Sequence, residues 1–335
     1  MGLFVRQLAI DFGTSTTRIC VRGRGVVVQE PTVLARDPET DQTLAVGRLA
    51  QELIGRTSER AEAVTPLSHG VIADFESAQE LLKTFVIQAS GRFHLTQPDA
   101  MITIPSGATS TEQRALVDVG NSVGLKNVYL IPSSVATALG AGLSIVEPRG
   151  QMVINIGAGV TEIAVLSLGG VVAQRSLRAG GNSLTEHVAR SIKRDYGLSI
   201  GLATAEEVKR IIGTLDPKQK SSMRVRGRGH GRSAAHDIKL KSQQIRPVFE
   251  IGLEKVVMGA RSVLERTPPD LVADIAERGI SLSGGGAYLN GLAGYLTDKL
   301  QVKVEQAQDP LLTTVKGAFM ALTNLSDYKR SLLGL

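Results

Sequence analysis

The chain has 335 residues, 42% of them hydrophobic and 21% charged, proportions of a globular protein that exclude a disordered chain or a simple coiled coil. At about 100–200 residues per domain, this length predicts two domains, each able to bury its own core. The net charge of +6 is uneven, because residues 1–150 carry 13 basic and 15 acidic side chains whereas 151–335 carry 25 and 17.

Apolar alternation predicts strands near 7–12, 17–22 and 26–29. Leu81, Leu82, Phe85, Val86 and Ala89 then share one side of a helix near 76–90. A strand at 101–104, a helix at 111–122, a strand at 127–131 and a helix running to 142 complete the order βββαβαβα. The uncharged run 128–146 is long enough to raise a transmembrane span, but Pro132, Gly140 and Gly142 interrupt it, and a strand, a turn and a buried helix explain it better. From 152 the order restarts, with strands near 152–156, 161–167 and 171–177 and a helix at 183–196. After an insertion come a strand at 279–283, a helix at 288–300, a strand at 302–305 and a helix at 309–323. The expected class is α/β with two similar halves.

The residues repeat along with the pattern. Asp11-Phe12-Gly13-Thr14-Ser15-Thr16-Thr17 precedes Asn155-Ile156-Gly157-Ala158-Gly159-Val160-Thr161 by 144 positions. Each segment joins two strands through small residues that leave backbone N–H groups uncovered, as a phosphate cradle requires. Taken alone, either is also an ordinary hairpin turn with a positive-φ glycine; two at matching places in a duplicated fold argue for the cradle.

Other signals narrow the chemistry. Cys20 is the only cysteine, which removes intramolecular disulfides and fits a reducing compartment. No charged n-region with an apolar h-region opens the sequence, so secretion is not expected. No G-x-x-x-x-G-K-[ST] sequence occurs, and the five histidines lack H-E-x-x-H spacing. Gly197 to Gly201 matches G-x-S-x-G, but a helix precedes the serine, so a helix C-terminus is expected there. Segment 218–241 holds eight Lys or Arg against Asp237 amid glycines and serines, and is expected to be an exposed, mobile loop.

These residues resemble the actin and Hsp70-like superfamily and, within it, the MreB family of bacterial actins. Asp11, Gly13 and Thr14, with Ser15 and Thr16, resemble the first phosphate loop; Asn155, Gly157, Ala158, Gly159 and Thr161 resemble the second. Gly284, Gly285, Gly286 and Ala287 resemble the adenosine loop, and Glu206, Glu207, Val208 and Lys209 the purine and ribose segment. Val46-Gly47-Arg48, Ile104-Pro105-Ser106-Gly107 and Glu277-Arg278-Gly279 follow the same pattern, so the resemblance runs from residue 8 to about 322.

The resemblance implies a two-lobed actin-like ATPase fold of duplicated ribonuclease H-like domains with two smaller inserted subdomains. ATP and Mg²⁺ would sit in the cleft, with Asp11 reaching the metal through water. Residues 1–150 would form the first lobe, with a small subdomain at about 33–65. Residues 151–335 would form the second, with a small subdomain at about 182–245 that contains 218–241. The helix 309–323 would pack back on the first lobe. The implied function is a filament-forming, cytoplasmic, membrane-associated cytoskeletal protein involved in cell shape. Its partners would be copies of itself, the cytoplasmic membrane surface and cell-wall synthesis proteins.

Three cleft positions depart from the family. Ser133 stands where a Glu-Pro pair supplies the glutamate that activates water, and Asn155 and Asn182 stand where aspartates are usual. Losing a positioned base costs about 10²- to 10⁴-fold in rate, so hydrolysis is expected to be slow or lost; compensation through Glu162, Thr161 or Ser134 is the alternative. Leu3 and Phe4, with Phe93 and Leu95 beside Arg92, suit shallow membrane insertion supported by avidity along a polymer, although Phe93 and Leu95 are equally suited to capping the local core. Two rival functions remain: a small-molecule phosphotransferase, disfavoured by Ser133, and a nucleic-acid adaptor acting through 218–241, which lacks aromatic residues for stacking.

Overall fold

The computed structural model describes residues 7–56, 61–90, 97–229 and 235–333. The chain opens with an antiparallel meander, β1 (Gln7–Phe12), β2 (Thr16–Val21) and β3 (Gly25–Pro31). A small three-stranded sheet follows, from β4 (Leu34–Arg36), β5 (Thr43–Val46), helix α1 (Arg48–Arg56) and β6 (Glu62–Val64), with a minor core of Ala35, Ala50 and Ala61. The hairpin β7 (Leu67–Ser68) and β8 (Val71–Ile72) leads into α2 (Phe75–Ser90), β9 (Asp99–Ile104), α3 (Ser110–Ser122), β10 (Val128–Pro132) and α4 (Ser133–Gly140).

The second half repeats the meander as β11 (Gln151–Ile156), β12 (Thr161–Ser167) and β13 (Gly170–Leu177), followed by α5 (Gly181–Tyr196). An insertion comprises β14 (Leu198–Ser199), α6 (Leu202–Ile212), β15 (Ser222–Gly229) and β16 (Ala235–Lys241). The long α7 (Ser242–Glu265) and α8 (Pro269–Arg278) return the chain to β17 (Ile280–Ser283), α9 (Leu292–Leu300), β18 (Val304–Gln306), α10 (Thr313–Thr323) and α11 (Leu325–Tyr328).

The two main sheets have one topology. The first runs β3-β2-β1-β9-β10 and the second β13-β12-β11-β17-β18, each with an antiparallel meander on one side and two parallel strands on the other. Helix patterns follow from the sequence. Leu184, Val188 and Ile192 recur every fourth residue on the buried side of α5, and Gly197 ends that helix in the left-handed region at φ 61°. Thr109 and Glu112 close a reciprocal capping box at the start of α3.

Each lobe has its own core, and a third apolar cluster joins them. It combines Ala9, Met101, Ile131 and Val135 with Val153, Ala164, Leu166, Val315 and Ala318. The cause is an exchange of helices: α10 packs on β1, β2 and β9 of the first sheet, while α4 packs on β11 and β12 of the second. The crossing of α4 and α10 therefore joins the lobes through a shared apolar core.

Three sequence expectations are corrected. Among the described residues of 218–241, Ser222–Gly229 and Ala235–Lys241 are strands rather than loop: β15 and β16 pair antiparallel, Arg224 opposite Lys239 and Arg226 opposite Asp237. Arg224, Arg226 and Arg228 face solvent while Val225 and Leu240 are buried, a period-two pattern that the Gly and Arg composition obscured. The helix expected at 288–300 begins only at Leu292, because Gly285–Tyr288 forms a 3₁₀ turn and Gly291 adopts φ 74°. Gly13, Gly157 and Gly159 are not among the positive-φ glycines, so these turns use glycine for close approach instead.

Candidate functional site

The two turns repeated in the sequence meet at the seam between the lobes. The first, between β1 and β2, is held by Thr32, whose Oγ1 donates to the Gly13 carbonyl at 2.8 Å and lies 2.8 Å from Thr17 Oγ1. The second, between β11 and β12, is held from behind by the start of α5. The N–H groups of Gly181 and Asn182 donate to the carbonyls of Gly157 and Ala158, both at 2.9 Å.

Glycine is required where the turns touch. A Cβ on Gly159 would stand 2.6 Å from Thr14 Oγ1 and 3.1 Å from the His69 Cα, closer than side chains pack. Thr14 Oγ1 accepts the Gly70 N–H at 2.8 Å, and His69 Nδ1–H donates to the Gly159 carbonyl at 3.0 Å. His69 holds φ 50°, an uncommon conformation for a residue with a Cβ.

Below this contact lies a cavity of about 170 Å³. Typical whole-ligand pockets run to roughly 300–1,000 Å³, so the chamber matches a phosphate chain better than an entire nucleotide. Asp11, Gly13, Thr14, Ser15, Thr16, Ser133, Asn155, Gly157, Ala158, Gly159, Gly284 and Gly285 all line it, bringing together residues expected from four separate stretches of sequence. A larger cavity of about 690 Å³ lies on the other side and includes Asn182, Arg178 and His69.

The remaining expected residues lie elsewhere. Thr161 is buried and donates to the Ala179 carbonyl at 2.7 Å. Val208 and Ala287 belong to the core of the second lobe. Gly286 sits tightly against Ile156. Lys209 Nζ donates to the Gly181 carbonyl at 2.9 Å and pairs with Glu206 at 2.6 Å, bracing the start of α5 behind the second turn. Glu207 is exposed on α6. Leu3, Phe4, Phe93 and Leu95 fall outside the described residues.

Sequence reasoning passed over Arg18, Thr103 and Thr314, which also line the inner cavity. Arg18 was legible through hairpin arithmetic, since the 13–16 turn places it directly across from Asp11. Its Nη1 lies 3.5 Å from Asp11 Oδ2, while Asp11 Oδ1 accepts from Thr103 Oγ1 at 2.9 Å. Burial pushes the Asp11 carboxyl above its ordinary value, with Arg18 and Thr103 opposing the shift. Glu162 enters from β12 with both oxygens engaged, by the Ser106 N–H at 3.1 Å and by Ser176 Oγ at 2.5 Å. Its pKa is likewise raised by burial.

This geometry bears on two chemical roles inferred from the sequence. Ser133 Oγ donates to the Ile104 carbonyl at 3.1 Å, so its proton is committed and its oxygen is a very weak base. Asp11 does not fit its expected role beside Mg²⁺. A guanidinium already faces it at 3.5 Å, and the cavity's other carboxylate, Glu162, has both oxygens engaged, so a metal ion would place two cations on one carboxylate. Asn155 offers a neutral amide, and among the described residues no group of three or more His, Cys, Asp and Glu side chains is gathered.

Comparison with known proteins places these features in context. A sequence model described as MreB/Mbl protein matches residues 5–330. The cell shape-determining protein Mbl of Bacillus subtilis (strain 168) is 37% identical over 324 residues, covering 96% of this chain and 97% of Mbl. The crystal structure of MreB5 of Spiroplasma citri bound to ADP superposes with a TM-score of 0.91 at 33% identity, covering 97% of this chain and 98% of MreB5. The same protein bound to AMPPNP gives a TM-score of 0.91, covering 96% of each chain.

Proposed function

This chain belongs to the MreB/Mbl family, and from that premise we propose that it is a cell-shape cytoskeletal protein that binds ATP at the seam between its lobes. In this proposal it polymerises with copies of itself on the cytoplasmic face of the membrane, acts there with cell-wall synthesis proteins, and hydrolyses ATP slowly or not at all.

The observation that carries the nucleotide reading is the convergence of Gly13 to Thr16 and Gly157 to Gly159 on one cavity from opposite lobes. Such a site changes shape when the lobes move, so a bound phosphate chain favours the closed arrangement over open ones. The relative MreB5, similar over nearly the whole chain, has been seen with ADP and with AMPPNP. Loss of turnover is supported by the committed Ser133 hydroxyl. Filament formation is supported by family membership. The membrane reading rests on Leu3, Phe4, Phe93 and Leu95 in the sequence; among the described residues no helix is long and apolar enough to cross a membrane, so the attachment proposed is peripheral.

The test is sedimentation with and without ATP, with and without anionic lipid vesicles, alongside phosphate release. Concentration-dependent pelleting that ATP promotes, with little phosphate released, is the expected result. A protein that stays monomeric under every condition overturns the filament reading, and vesicles that fail to co-sediment with the polymer overturn the membrane reading.

A further inference from the structure

Arg18 is the only Lys or Arg among the described residues lining the inner cavity. It is 9% exposed, its Nε has no hydrogen-bond partner, and its contact with Asp11 is long, at 3.5 Å. A guanidinium keeps its charge at any accessible pH, and taking it out of water is costly unless its donors are met. Here they are under-used, at the wall of a chamber sized for phosphates and bordered by two glycine-rich turns. A phosphate oxygen is the acceptor that such a planar fork matches best. The same chamber holds a neutral amide at Asn155, and of its two carboxylates Asp11 already faces this cation while Glu162 accepts from the Ser106 N–H and Ser176 Oγ.

We propose that Arg18 is a built-in counter-cation for the phosphates of the bound nucleotide, so that the seam takes a nucleoside di- or triphosphate without a divalent metal ion. This rests on the nucleotide reading above and specifies how that site works. Arg18 on β2 replaces a diffusing cation with one fixed in the fold. Its positive charge is shared between Asp11 when the site is empty and the phosphates when it is filled.

The experiment is calorimetric titration of the full chain with ATP, and with inorganic pyrophosphate as a probe of the phosphate part alone, in Mg²⁺ and in EDTA. The wild-type protein is expected to bind with nearly the same affinity in both. Arg18→Leu is expected to lose about 30-fold or more in EDTA, the scale for truncating one partner of a buried charge pair, and to recover partly with Mg²⁺. Arg18→Lys keeps a charge and is expected to retain metal-free binding, which keeps the comparison decisive if thermal melting shows Arg18→Leu to be unfolded. Wild-type binding that disappears in EDTA, or an Arg18→Leu protein that is folded and binds as tightly as wild type in EDTA, overturns the proposal while leaving nucleotide binding intact. No heat from any protein under either condition overturns the nucleotide reading and this proposal with it.

Discussion

Gly140 of α4 and Gly317 of α10 meet backbone to backbone across the seam between the lobes. A Cβ on Gly140 would stand 1.8 Å from the Thr313 carbonyl oxygen, and one on Gly317 would stand 1.7 Å from the Ala136 carbonyl oxygen. One turn earlier, Thr137 Oγ1 and Thr314 Oγ1 lie 2.9 Å apart. Thr137 donates its hydrogen to the Ser133 carbonyl at 2.6 Å, so Thr314 supplies the one between them. The contact is between equivalent positions of the duplicated halves, which makes this crossing a backbone-to-backbone contact that tolerates no Cβ on either side.

Gly140→Ala and Gly317→Ala should therefore each destabilise the protein by about 3 kcal/mol or more, at or beyond the upper end for overpacking, because the obstruction is backbone that cannot rotate away. Gly294, inside α9 with nothing near its missing Cβ, is the control. Its replacement by Ala should stabilise by about 0.4–1 kcal/mol through the unfolded chain. Denaturant unfolding of the three variants measures both effects, and equal midpoints would refute the close contact.

Away from that crossing, His69 of the first lobe donates to the Gly159 carbonyl of the second at 3.0 Å, beside the Glu162 contact with the Ser106 N–H. Asn tolerates the positive φ of position 69 but is too short to make the same bond. A hydrogen bond contributes about 0.5–1.5 kcal/mol net, so His69→Asn should release a fluorescent ATP analogue roughly three to ten times faster. Stopped-flow displacement reads this directly, and an unchanged rate would show that the latch carries no load.

Much of this arrangement was legible in the sequence, for identifiable reasons. The duplication shows in the 144-residue offset between Asp11 and Asn155, because both turns must satisfy the same backbone geometry. Gly140 and Gly317, 177 apart, escaped that register because the inserted β14 to β16 region and the long α7 lengthen the second half. Arg18 escaped because a charged residue in an otherwise apolar strand reads as a surface position until the partner across the hairpin is considered. The basic segment was misread for the opposite reason: its composition suggests a loop, while the alternation of Arg224, Val225 and Arg226 belongs to a strand with one wet face. Lys209 and Glu206 were legible as residues near the site, but only the fold shows that they brace α5.

The two cleft carboxyls make stability depend on pH in one direction. Glu162 and Asp11 have pKa values raised by burial above their ordinary 4.5 and 3.8, so the folded state binds protons that the unfolded chain has already released. Their contribution is fully present below those ordinary values and is lost as pH rises through the folded-state values. Glu162→Gln removes one of the two titrations, so its unfolding free energy should fall less than that of the wild type as pH rises from the acid side. Denaturant titrations across that window check the slopes, and parallel curves would show that Glu162 titrates alike in both states.

The last prediction concerns turnover. Ser133 opens α4 and lines the cavity, yet its proton goes to Ile104, and Asn155 carries no charge toward a metal ion. Ser133→Glu would place a carboxylate at that wall, and Asn155→Asp would restore a second acid at the phosphate turns and with it an affinity for Mg²⁺. A positioned general base accelerates proton transfer by about 10²- to 10⁴-fold. The double variant in Mg²⁺ should accordingly release phosphate at least about 10² times faster than the wild type, whereas Asn155→Asp alone should raise metal dependence with little gain in rate. Two single-turnover measurements, with the metal present and chelated, separate these outcomes. If the double variant binds ATP as the wild type does and still fails to turn it over, the missing chemistry lies elsewhere than at these two positions.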